Sequence, residues 1–342
     1  MDINNVIKSS EYDFLRKNNN LNNKICLLTF GGSYAYGTNT PKSDIDIRGV
    51  ALNSKKNILL GKDFEQVTDK KTDTTIYSFD KFIKLLLNCN PNVIEMLGCK
   101  KDTYINNYIG EMLLLNKEMF LSKRVIYTFG GYANAQLRRL QNAVARDNYS
   151  TDKKLEHIYG TINHMIPELN SRYSFGKNSL NIYIDKSSED SVYEKEIYFD
   201  LKLNHYPIRD FNGFIREMTN VVKQYDKLGK RNTKKDDLHL AKHMMHLIRL
   251  YLMCFDILEN GEIITYREND LELLHKIRSG YFLHNGQIDS SFMCMVDEYS
   301  NKLKNLASKT KLPDKPDIEN VEKMRMYVNN MVVNEEIQGI EI

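Results

Sequence analysis

The sequence predicts an α+β protein in which a segment of mixed strands and helices, residues 1–105, precedes a mainly helical remainder, residues 106–342. Three observations predict it. An unbroken apolar run, Lys24-Ile-Cys-Leu-Leu-Thr-Phe30, ends in Gly31-Gly32, as a buried strand feeding a tight loop does. The run Asp44-Ile-Asp-Ile-Arg-Gly-Val-Ala-Leu52 begins with acidic/apolar alternation at period two and continues apolar, which suits a strand with one functional face. Beyond about residue 105 the helical period dominates.

The other elements follow in order. Residues 72–79 predict a third strand, and from Ser78 or Asp80 onward the spacing of Phe82, Leu85 and Leu86 turns helical, with Ser78 placed to cap the helix. Asn90-Pro91-Asn92 breaks the chain before residues 93–97 resume an apolar stretch. Helical spacing then covers 112–120 and 125–145, interrupted at Gly130-Gly131. Near 178–205, two strand-like runs around a polar Ser-Ser-Glu-Asp read as a hairpin or as a surface insertion among helices. Residues 237–258 form the longest predicted helix, ended by Asn260-Gly261. The Lys-rich stretch 300–315 and the acidic tail after it read as a solvated face.

Composition narrows the class without naming a partner. With 342 residues, 42% hydrophobic and 27% charged, the chain can bury the core of one large or two ordinary domains. Lys and Arg number 48 against 45 Asp and Glu, so a net charge of +3 gives no general field for polyanions, and any nucleic-acid contact must be local. The apolar runs are far too short to cross a bilayer, and the first residues lack the apolar core of a signal peptide. The five cysteines, Cys26, Cys89, Cys99, Cys254 and Cys294, are scattered and form no Cys-x-x-Cys pair, so neither a disulfide framework nor structural zinc is indicated. The expected setting is a reducing cytoplasm, with no membrane partner; oligomeric state is not legible.

The chemistry concentrates in Gly32-Ser33-Tyr-Ala-Tyr-Gly37-Thr-Asn-Thr-Pro-Lys-Ser43-Asp44-Ile-Asp46-Ile-Arg48. Residues two apart on a strand share a face, so Asp44 and Asp46 converge beside the Gly-Ser loop. Like charges so placed raise a carboxyl pKa or cost stability unless an oxygen-ligated divalent ion offsets them, and with no His or Cys nearby Mg²⁺ suits the pair better than zinc. Gly32 would let backbone N–H groups approach a phosphate, and Ser33 would cap the following helix or donate to a phosphate oxygen. Phosphate plus metal implies phosphoryl or nucleotidyl transfer. Arg48 falls on the face of Asp44 and Asp46, either to bind phosphate or to pair with those carboxylates.

Gly32-Ser33, a ten-residue spacer, then Asp44-x-Asp46 resembles the signature of the DNA-polymerase-β-like nucleotidyltransferase superfamily. The fuller string, with Asn-Pro-Asn-Val-Ile-Glu-Met-Leu at 90–97, is similar to bacterial and phage nucleotidyltransferases that include the RNA repair pathway polymerase-β family. Downstream, residues 131–139 and 242–250 resemble the same group. The resemblance implies a mixed sheet with flanking helices, two Mg²⁺ or Mn²⁺ ions, and transfer of a nucleoside monophosphate from an NTP, with an RNA end as the favoured acceptor. It also implies a third carboxylate on a neighbouring strand, assigned to Asp73 because that residue starts the strand-like run; Asp69 and Asp80 are rivals. Small molecules, protein hydroxyls or a non-catalytic nucleotide-binding role are the alternatives.

A second constellation lies on the long helix. At 100° per residue His239, Lys242, His246 and Arg249 form one polar stripe opposite Leu240, Met244, Leu247, Tyr251 and Cys254. A basic row without acids is suited to a triphosphate or nucleic-acid backbone, and Lys242, His246 and Arg249 join Gly32, Ser33 and Arg48 as the expected nucleotide-binding residues. Gln136, Arg138 and Arg139 read either as acceptor contacts or as a solvated face.

Overall fold

Every residue of the first strand, β1 (Ile25–Phe30), is buried, because both faces of the sheet it anchors are covered. A computed structural model describes residues 2–148, 151–187, 195–229, 237–284 and 287–342. β1 pairs antiparallel with β2 (Ile47–Ala51), with Phe30 opposite Ile47. β3 (Gln66–Asp69) and β4 (Thr74–Ser78) form a hairpin, β4 runs parallel to β2, and the short β5 (Ile105–Asn106) edges β1. The five-stranded mixed sheet has the order β3-β4-β2-β1-β5. The short strands β3 and β5 are additions to the sequence reading; β3 alternates exposed and half-buried residues and β5 is two residues long, so neither carries an apolar run.

Local signals decide the helix around the sheet that the sequence marked. Ser78 caps the helix Phe79–Leu87 by accepting from the Lys81 N–H at 3.1 Å, and Phe79, Phe82, Ile83 and Leu86 form its buried face. The helix Arg124–Asn148 continues without a break through Gly130-Gly131, where an interruption was expected; Gly130 lies beside Leu303, and a Cβ there would stand 3.4 Å from its Cδ2. Asp237–Asn260 is helical to its end, and Gly261 follows at φ 71°.

The chain folds into two units. One comprises residues 1–137, 241–281 and 290–342, the other residues 138–240 and 282–289. A division at residue 105 is therefore not where the structure separates: helices Leu271–Arg278, Ser290–Lys309 and Ile318–Val333 belong to the unit that holds the sheet. Long-range polar contacts tie them there. The Arg325 guanidinium binds Asp80 at 2.6 and 3.0 Å, and Asp317 N–H donates to Met119 O at 2.9 Å. Gly339 N–H donates to Asn23 O at 2.8 Å and Ile340 N–H to Ile25 O at 2.7 Å, while Ile340 and Ile342 pack on the core cluster of Ile3, Leu15, Leu28 and Ile47. The acidic tail, expected to be a solvated face, thus closes part of the core, and Val321 and Val328 are buried.

In the second unit, β6 (Leu180–Lys186) pairs antiparallel with β7 (Lys195–Leu201), which settles the hairpin reading. Residues 188–190 of its polar turn lie outside the described residues. Leu180 and Ile182 pack with Ile158, Ile162, Leu169, Phe175 and Phe214, from helices Thr151–Arg172 and Ile208–Gly229 and the turn between. Among the described residues no helix is long and apolar enough to cross a membrane.

Candidate active site

The Gly-Ser loop and the acidic segment leave the same end of the sheet. Gly31 N–H donates to Asp46 O at 2.8 Å, extending the β1–β2 pairing by one step beyond Phe30 and Ile47. A short helix, Gly32–Tyr36, begins at once and stops at Gly37, φ 76°. Gly32 has φ 52°, and a Cβ there would lie 1.7 Å from Asp46 Oδ2, so the glycine is required by the carboxylate beside it as well as by its backbone. Ser33 is half-buried next to it.

Asp44 and Asp46 sit in the extended segment leading into β2, where the sequence reading had them on the strand. The reason is that β1 has run out at Phe30, so only Asp46 still finds a backbone partner. Asp44 is exposed and Asp46 half-buried. Burial pushes the Asp46 carboxyl up to about 7, helped by a hydrogen bond with Asp73 and by the charges of Asp73 and Asp44, and opposed by Arg48.

Asp73 precedes β4 by one residue, in a left-handed turn at φ 43°, so it stands at the strand's mouth rather than in it. Register carries it there: Thr74 is the partner of Ile47, which puts the residues before both strands side by side. The rivals are occupied elsewhere. Asp69 accepts from Lys71 N, Thr72 N and Thr72 Oγ1 within the β3–β4 turn, and Asp80 binds Arg325 and Asn53. Arg48 shares the face of Asp46, since both side chains flank Gly31. Its guanidinium donates to the Asp73 carbonyl, and to Asp73 Oδ1 at 3.4 Å.

A buried polar group that the sequence reading did not single out lies behind the Gly-Ser helix. Tyr36 OH donates to Glu95 Oε2, and the guanidinium carbon of Arg249 sits 3.2 Å from the Tyr36 ring centre. Arg249 Nη2 is 4.0 Å from Glu95 Oε2 and 3.0 Å from His246 Nδ1. Burial pushes the Glu95 carboxyl up, against the pull of Arg249, the Tyr36 hydroxyl and Arg48. An acid inside the apolar run Val93-Ile-Glu-Met-Leu97 is the signal that could have found it, because a buried carboxylate needs partners.

The basic stripe therefore divides. Arg249 is 8% exposed and stacked on Tyr36, His246 is half-buried beside it, and His239 and Lys242 are exposed. Gln136 is buried while Arg138 and Arg139 are exposed, so these three do not form one face.

The donor set beside Gly32 is all oxygen, which suits a hard divalent cation. Asp44, Asp46 and Asp73 crowd negative charge that Arg48 offsets only in part, and a cation would offset the rest. Among the described residues no group of three or more His, Cys, Asp or Glu is already closed around a metal position. Asp73 would have to turn from Arg48 to complete one.

A five-stranded mixed sheet flanked by helices, with Gly32-Ser33 and Asp44-x-Asp46 leaving one end of it, is the arrangement expected of the polymerase-β-like core that these motifs resemble. Residues 7–161 match the model of the RNA repair pathway DNA polymerase beta family, the group that the residues themselves resemble. Two relatives are uncharacterized. The chain is 27% identical over 188 residues to a protein of Methanocaldococcus jannaschii, covering 53% of this chain and 74% of that one. It is 31% identical over 85 residues to a 38.9 kDa protein of enterobacteria phage T4, covering 22% of this chain and 25% of the phage protein. No solved structure matches the chain.

Proposed function

We propose that the protein transfers a nucleoside monophosphate from an NTP to an acceptor hydroxyl, releasing pyrophosphate, and that the acceptor is an RNA end. The observation that carries this reading is the meeting of Asp46 with Gly32 on one side and Asp73 on the other, with Asp44 two residues before. The family match over residues 7–161 supports the reaction class, and the RNA repair pathway in its description supports the RNA acceptor.

Asp44 and Asp46 would hold two Mg²⁺ or Mn²⁺ ions with Asp73 as the further ligand. Bound there, the ions supply neutralisation of the triphosphate and of the attacking and leaving oxygens. The protein's own residues then divide the remaining work. Gly32 keeps space for the Asp46 carboxylate, Ser33 would donate to a phosphate oxygen, and Asp73 would take the proton of the acceptor hydroxyl. Arg48, released from Asp73, is a charge-assisted donor to phosphate. Lys242 is the exposed phosphate contact of the long helix, while His246 and Arg249 act through Tyr36 at the end of the Gly-Ser helix.

The test is incorporation of each of the four α-labelled NTPs, with Mg²⁺ or Mn²⁺, into RNA, DNA, protein and small-molecule acceptors. Metal-dependent label on RNA ends, lost in Asp44→Asn, is the expected result. Label on protein or a small molecule would overturn the acceptor, and no label with any acceptor would overturn the reaction.

A further inference from the structure

The ten residues from Tyr34 to Ser43 must return the chain so that Asp44 and Asp46 end beside Gly32; Ala35 and Tyr36 are buried, but residues 38–43 are polar apart from Pro41 and have little apolar surface to fix them. The fixation comes from residues 265–278, far outside the family match. Arg267 N–H donates to Tyr36 O at 3.3 Å, and the Tyr266 ring packs so closely on Gly37 that a Cβ there would meet it at 2.7 Å. Arg267 is itself held by Asp256, and by Asp270 at 2.8 Å.

Arg278, the last residue of the helix Leu271–Arg278, makes the decisive contacts. Its Nη1 donates to Thr38 O and its Nη2 to Ser43 Oγ at 3.0 Å. Ser43 Oγ in turn accepts from Thr40 N–H at 2.8 Å. One planar guanidinium thus joins both ends of the turn 38–43, and the residue after that turn is Asp44. Among the described residues Arg278 makes no ion pair, and both of its side-chain hydrogen bonds go to the loop. Burial and the facing Arg249 hold its pKa below the usual guanidinium range, a cost that a purely stabilising surface contact would avoid.

We propose that Arg278 is the positioning residue that sets Asp44 for catalysis, by clamping the spacer between the Gly-Ser loop and the paired acids. This inference rests on the nucleotidyl-transfer reading above. A shift of Asp44 by about 1 Å is of the size that costs on the order of a hundredfold in rate with substrate binding retained.

The experiment compares Arg278→Ala, Arg278→Lys, Ser43→Ala and the double variant Arg278→Ala/Ser43→Ala with the wild-type protein, using Asp44→Asn as the inactive reference. Steady-state kinetics over a Mg²⁺ titration are paired with amide hydrogen exchange of residues 38–43. In Arg278→Ala, kcat is expected to fall by roughly a hundredfold with KM for NTP within about twofold. More Mg²⁺ would be needed for half-maximal rate, and the Thr40 amide would exchange faster. Arg278→Lys, which reaches only one of the two acceptors, should lie between, and Ser43→Ala should add little once Arg278 is gone. Wild-type kcat and metal requirement in Arg278→Ala, with Asp44→Asn inactive, would overturn the proposal, as would a change confined to KM. If the wild type transfers nothing, the reaction reading has failed and the exchange data decide alone: unchanged protection of Thr40 in Arg278→Ala then overturns the clamp. Should Arg278→Ala not fold, the same criteria apply to Arg278→Lys.

Discussion

The carboxylate of Asp46 fills the space that a side chain on Gly32 would need, with Oδ2 1.7 Å from the position of a Cβ. Gly32→Ala should displace Asp46 and remove transfer. The left-handed backbone adds a cost of about 1–2 kcal/mol in stability. The check is activity beside the denaturant midpoint. An active Gly32→Ala would show that Asp46 moves aside freely and that the glycine serves only the turn.

Asp44→Asn and Asp46→Asn should each lower transfer by more than about a hundredfold, the scale of several kcal/mol of lost charge stabilisation. Neither change removes an apolar contact, so the circular dichroism spectrum should stay that of the wild type. Near-normal turnover in either variant would remove these acids from the reaction.

Ser33→Ala should raise KM for NTP by about 5- to 100-fold, as expected for a lost hydrogen bond of about 1–3 kcal/mol to a charged phosphate. The readout is initial rate against NTP concentration. A change in kcat alone would instead assign the hydroxyl a role in the chemical step.

Removing Arg249 should leave Glu95 buried beside Tyr36 without its cation. Arg249→Met is therefore expected to cost about 3–5 kcal/mol, and Arg249→Met/Glu95→Gln much less. The pH dependence has a defined sign. Glu95 already has a folded-state pKa above its ordinary value, and loss of Arg249 raises it further, so the folded variant binds a proton more readily than the unfolded chain. Its deficit should be smaller at pH 5 than at pH 8, and urea midpoints at the two values measure it. An equal deficit at both would mean that Glu95 does not carry the effect.

Much of the architecture is legible because it is written in local patterns. The apolar run 25–30, the cap Ser78 and the long period around residue 244 each announce their element without reference to distant residues. Gly32-Ser33 and Asp44-x-Asp46 are legible for the same reason, since their spacing is short. What joins them is not. Arg278 meets Thr38 and Ser43 across more than two hundred residues, and Glu95 meets Arg249 across more than one hundred and fifty, so neither leaves a periodicity to read. Strand alternation correctly puts Arg48 on the face of Asp46, but only the parallel register of β2 and β4 brings it to Asp73.

The backbone bonds from Gly339 and Ile340 to Asn23 and Ile25 give the sheet a dependence on time. During synthesis the strand that leads to the Gly-Ser loop emerges early, yet its flank is closed by residues translated near the end of this sequence, at roughly 5–20 residues per second. Until then the nascent chain carries an unfinished apolar layer, the kind of surface that chaperones bind and that aggregates when expression is fast.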